Sequence, residues 1–67
     1  MTRNVLITAQ TEKAICVGAK TWIARSEILE MIELDEPSKA VDCGKMQRIG
    51  IPHAIVVTEK AAGRAGW

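Results

Sequence analysis

Thr21-Trp22-Ile23-Ala24-Arg25-Ser26 is the stretch on which the fold turns. Trp22 and Ile23 are strand formers, because a ring or a β-branched side chain packs well on a pleated surface. Just before them stands Gly18-Ala19-Lys20. A glycine there can take the positive φ of a tight hairpin turn. Ala14 to Val17 is a second β-rich run, and its Ile15 and Val17 can share a face with Ile23. The reading is a hairpin, Ala14–Val17 returning as Thr21–Ala24. On the returning strand Trp22 and Ala24 lie on one face and Arg25 on the other.

Outward from this hairpin, the polar Thr11 to Lys13 turns the chain, and the apolar run within Asn4 to Ala9 suits a first strand. Toward the C-terminus, Ser26 to Leu34 reads two ways. Glu27, Glu30 and Glu33 recur every third residue, and Ile28, Met31 and Ile32 fall at helical spacing with Ser26 as a cap. Alternation also works, with Ile28, Ile32 and Leu34 on one strand face broken by Glu30. Propensity alone favours helix. Asp35-Glu36-Pro37-Ser38 ends this element, and 35–44 reads as a polar loop. Lys45 to Ile51 suits a last strand.

Pro52 fits the first turn of a helix, and Gly63 can close it with a left-handed cap. Ile55 to Thr58 are all β-branched and favour strand. The stripe Ala54, Val57 and Ala61 decides for helix, leaving 64–67 as a tail. The fold class expected is α+β. It is a small antiparallel sheet or partly open barrel of about four strands with a short C-terminal helix.

The chain's 67 residues allow a single domain, 1–67. A chain this short buries only about 60% of its unfolded surface, so its core is small. Its apolar fraction of 48% and charged fraction of 25% are those of a folded chain, not a disordered one. Tyr and Phe are absent, so Trp22 and Trp67 are the only aromatic side chains. A lone tryptophan in so small a domain is more often core than contact. Trp22 is therefore expected to plug the core, on an inner strand of the barrel. No apolar run reaches the length of a membrane span, and Met1-Thr2-Arg3-Asn4 does not open like a signal peptide. A cytoplasmic place follows as the expectation, with Cys16 and Cys43 as reduced thiols.

Little here resembles catalytic or metal chemistry. Cys16, Cys43 and His53 are the only soft ligand types, and they lack the paired short spacing of zinc sites. A Cys–His nucleophile pair would also need an oxyanion site and a cleft, for which the core leaves little room. Gly18-Ala19-Lys20-Thr21 imitates the end of a phosphate loop but has no upstream glycine at the required spacing. No cofactor, metal or enzymatic activity is expected. The net charge of +1 argues against wrapping duplex nucleic acid by charge alone. The acidic run Glu27, Glu30, Glu33, Asp35 and Glu36 can dock on a basic partner and speed encounter.

Taken together, Thr11-Glu12-Lys13-Ala14-Ile15, the Trp22 segment and Ile51-Pro52 with the short segment to Gly63 resemble small orphan proteins of phage and prophage gene clusters. Their pattern reads T-x-K-A, then W-I-P-[KR]-S, then an apolar-Pro step. Ala24 stands where Pro is usual, and the segment after Pro52 is longer and lacks the usual Trp. The resemblance implies a β-rich domain with a C-terminal helix and turns Ser26 to Leu34 into strand, the reading adopted. It also implies a mobile-element origin.

The expected function is a non-enzymatic protein-binding module that docks on a host or phage protein complex. An anti-defence inhibitor, such as one directed at CRISPR effectors, is one form of it. Arg25, Glu27, Glu30, Glu33, Asp35 and Glu36 would make the contact. The alternative is a nucleic-acid accessory protein using Lys20, Trp22, Arg25 and Arg48. Exposed sheet edges would also allow a homodimer.

Overall fold

A computed structural model describes residues 1–67. Six strands form in chain order: β1 (Thr2–Gln10), β2 (Ala14–Val17), β3 (Thr21–Ala24), β4 (Ile28–Glu33), β5 (Lys39–Asp42) and β6 (Gln47–Val57). A three-residue 3-10 helix, Arg25–Glu27, joins β3 to β4, and one short helix, α1 (Glu59–Arg64), follows β6. The fold is therefore mostly β, with six strands where about four were expected. All pairings are antiparallel, in the order β3-β2-β1-β6-β4, with β5 also on β6.

The β2–β3 hairpin forms as its residues dictate. Gly18 takes φ 65° in its turn, and Ile15 pairs with Ile23 and Cys16 with Trp22. Thr11 shapes the preceding turn, its Oγ1 accepting from Ala14 N–H at 3.1 Å. The chain then passes from the β3 end of the sheet to the β4 end in four Cα steps, about 15 Å at most. Five strands laid flat would hold those ends about 19 Å apart. The sheet must curl. The link is fixed on both sides, Arg25 N–H donating to Lys13 O and Glu27 O accepting from Thr58 N–H.

Inside the curl lie Ile7, Ile15, Val17, Ile23, Ile55 and Val57, closed over by Ala61 and Ala62 of α1. Ile15, Ile55 and Val57 have no exposed surface.

Several expectations are corrected. No helix begins at Pro52, because the β-branched run Ile55 to Thr58 prevails and β6 continues to Val57. Pro52 is tolerated in mid-strand for a specific reason. Its carbonyl accepts from Leu34 N–H, and it falls where the β6 pairings pass from Glu33↔His53 to Lys39↔Gly50. The residue opposite is Leu34, just past the end of β4, so the donor that proline lacks costs a single ladder bond at the end of the pairing. The 35–44 segment is not all loop, since Lys39–Asp42 pairs with Gln47–Gly50. This pairing needs glycine at position 50. A Cβ there would come 2.8 Å from Leu6 Cβ and 2.9 Å from Val41 Cγ2.

The helix is capped by Thr58, whose side chain accepts from Ala61 N–H. Its left-handed terminator is Gly66 at φ 76°, not Gly63. Gly66 N–H donates to Gly63 O and Trp67 N–H to Ala62 O, a Schellman closure that turns the chain back. Residues 64–67 are thus no tail, and Trp67 packs on the core. Trp22 is the opposite case. It is 53% exposed on an end strand, neither core plug nor inner strand. The inward side of β3 is taken by Ile23, at 3% exposure.

Core position sets the cost of removing a methyl group. Ile55→Val should lose about 0.5–1.5 kcal/mol in chemical denaturation, whereas Ile49→Val, at a side chain 64% exposed, should lose almost nothing. Equal losses at the two sites would contradict this core.

Candidate functional site

β4 is an end strand, with β6 on one side and no strand on the other. Between Ile28 and Glu30 the register shifts, and the bulged Leu29 is thrown outward, 67% exposed. After the bulge Glu30 and Ile32 share one face and Met31 and Glu33 the other. Ile32 is 52% exposed and Met31 36%. An isolated exposed apolar residue is ordinary, but β4 carries three along one open edge, on both of its faces.

The acidic side chains are distributed along this edge rather than gathered on one face. Glu27 precedes the strand and pairs with Arg64 at 3.5 Å. Glu30 and Glu33 stand on opposite faces of β4, and Asp35 and Glu36 are exposed in the turn beyond it. Glu33 Oε1 lies 4.0 Å from His53 Nε2. Arg25 is set apart from this group. Its Nε donates to Thr11 O and its guanidinium to Gln10 Oε1, each at 2.8 Å. Those two bonds lock it between β1 and the link, so it braces the hairpin.

The basic and aromatic set is split as well. Lys20 and Trp22 sit together at the β3 end, but Arg48 lies on β6, with β2 and β1 between in the sheet order. The soft ligand types also stay apart. Cys16 is buried on β2, Cys43 is half-buried after β5, and both are free thiols. His53 is buried on β6, its Nδ1 2.9 Å from Ile51 O. A carbonyl only accepts, so Nδ1 carries the proton. No group of three or more His, Cys, Asp or Glu converges as a metal site would require, and no helix is long and apolar enough to cross a membrane.

Two features escaped the residue pattern. One is the exposed apolar edge of Leu29, Met31 and Ile32. Its signal was the glutamates interrupting an apolar strand, a pattern that also fits an amphipathic helix. The other is the placing of Arg3 over the Trp67 ring, 4.9 Å from its centroid, which joins opposite ends of the chain. No family model, curated protein or solved structure matches the chain.

The two tryptophans report separately on this arrangement. With Trp67→Phe the remaining Trp22 should emit at long wavelength and be readily quenched by acrylamide. With Trp22→Phe the remaining Trp67 should emit further to the blue and resist quenching. The reverse order would place Trp22 in the core after all.

Proposed function

We propose that the chain is a non-enzymatic protein-binding module that docks through the β4 edge on a basic surface of a partner. The observation that carries this reading is the exposed apolar edge itself, with Leu29, Met31 and Ile32 interleaved with Glu30 and Glu33. Apolar side chains on an open edge supply the contact, and its unpaired backbone can extend into a partner's sheet. The carboxylates select the partner's charge. They disfavour pairing of β4 with β4 of a second copy, where glutamates would face one another, and they favour Lys and Arg across the interface. Asp35 and Glu36 continue the acidic field past the strand, whereas Glu27 holds Arg64 and Arg25 braces the fold.

The resemblance to phage and prophage proteins extends the proposal. The partner would be a host or phage protein complex met in the host cytoplasm, and blocking a defence complex such as a CRISPR effector is a fitting task for so small a surface.

A second reading is favoured by the exposure of Trp22. Single-stranded nucleic acid could stack on its ring, with Lys20 beside it. Quenching of Trp22 fluorescence by an oligonucleotide, strongest at low salt, would support this reading, and its absence at low salt would remove it.

Affinity capture tests the protein-binding reading. The wild-type chain should retain one stoichiometric partner from host lysate. Ile32→Asp should weaken that partner's binding by roughly 30-fold, the scale of an interface hot spot. Glu30→Lys with Glu33→Lys should slow association most at low salt. Failure to retain any partner, or retention unchanged by all three substitutions, would refute it.

A further inference from the structure

A groove of about 480 Å³ runs along the N-terminal half of β1, lined among others by Arg3, Asn4, Leu6, Glu36, Lys39 and Trp67. Its origin is in the register. β2 pairs with β1 only through Ile7, Ala9 and Gln10. At Gly18 the chain turns away into β3, and the last bond across is Gly18 N–H to Leu6 O, 2.8 Å. From Thr2 to Val5, β1 therefore has β6 on one side and no strand on the other.

The direction of the free backbone groups follows. Met1 and Val57 exchange both hydrogen bonds, and bonded and unbonded pairs alternate along an antiparallel ladder. Arg3 and Val5 thus also point at β6. The N–H and C=O of Thr2 and Asn4 point at the open side, as the Leu6 carbonyl does one step further on. Side chains frame this short edge. Leu6 lines the groove from one face of β1. Trp67, brought back by the Gly66 turn, lines it from the other, with Arg3 over its ring.

We propose that this groove binds an extended peptide that adds to β1 as a strand, end to end with β2, and directs an acidic side chain at Arg3 and Lys39. The charges set that preference. The one Lys or Arg ion pair of the chain is Arg64–Glu27, so Arg3 and Lys39 are both free to pair. Glu36 is the one acidic side chain in the lining, against the two basic ones of Arg3 and Lys39. Strand addition draws its affinity from main-chain bonds and its selectivity from alternate side chains, and both elements are present. This site uses another edge and opposite charges from the β4 reading, and either survives failure of the other.

The test uses Trp22→Phe protein, in which Trp67 is the sole reporter. The probes are a blocked hexapeptide of alternating threonine and valine with one central glutamate, its lysine counterpart, and oligothymidylate. The glutamate peptide should shift Trp67 emission saturably and bind about fivefold more tightly than the lysine peptide, the scale of a partly exposed ion pair. Arg3→Gln, a surface change that leaves the fold intact, should erase that preference. N-methylation of the alternate amides that face Thr2 and Asn4 should abolish binding, and N-methylation of the other set should spare it. The proposal is overturned if no peptide saturates the Trp67 response at millimolar concentration. It is equally overturned if both N-methylated sets bind alike, or if oligothymidylate saturates the response and the peptides do not.

Discussion

Three residues carry this chain from one end of its sheet to the other, and that constraint shapes everything else. Arg25–Glu27 is too short to cross a flat sheet of five strands, so the sheet curls and gains an inside. The curl lets Ile15 and Ile23 of the hairpin meet Ile55 and Val57 of the long strand, though β1 lies between them in the sheet order. It also lets a six-residue helix close the core with only two alanines. A core this small has no spare volume. Its stability depends on β-branched side chains that fit closely, on the Thr58 cap, and on the return of Trp67 against it.

The same economy leaves backbone unpaired at the ends. β4 borders the sheet with apolar and acidic side chains, and the first residues of β1 outrun β2. Larger sheets cover such edges with helices or loops. Here the one helix is occupied with the core. The two open edges differ in charge, acidic at β4 and basic at Arg3 and Lys39. The like charges along β4 disfavour its pairing with β4 of a second copy.

Much of the front half was legible in the residues. The β2–β3 hairpin has the expected bounds, because Gly18 and the runs on either side of it act locally. Strand at Ile28 to Glu33 followed from the resemblance and not from propensity, since glutamates at every third residue suit a helix as well. The back half misled. Pro52 is a helix starter unless its missing donor falls at the end of a partner strand, and only the tertiary pairing sets that. Lys39–Asp42 is polar and short, and becomes a strand only because β6 is there to pair with it. Trp22 and Trp67 exchanged their expected places for a similar reason. Which tryptophan is inside depends on where the sheet ends and on the turn at Gly66. Of the site residues, Glu30 and Glu33 stand on β4 and Asp35 and Glu36 in the turn beyond it, while Glu27 pairs with Arg64 and Arg25 bonds to Thr11 and Gln10.

Amide hydrogen exchange, read residue by residue, tests the central claim most directly, namely that this curled sheet presents open backbone at two edges. Protection should alternate along both strands. Arg3, Val5, Glu30, Ile32 and Leu34, whose N–H groups face β6, should exchange slowly. Asn4, Met31 and Glu33, whose N–H groups face outward, should exchange fast. Continuous protection through Ser26 to Leu34 or through Pro52 to Gly63 would indicate helices there, and would contradict the sheet and both of its edges.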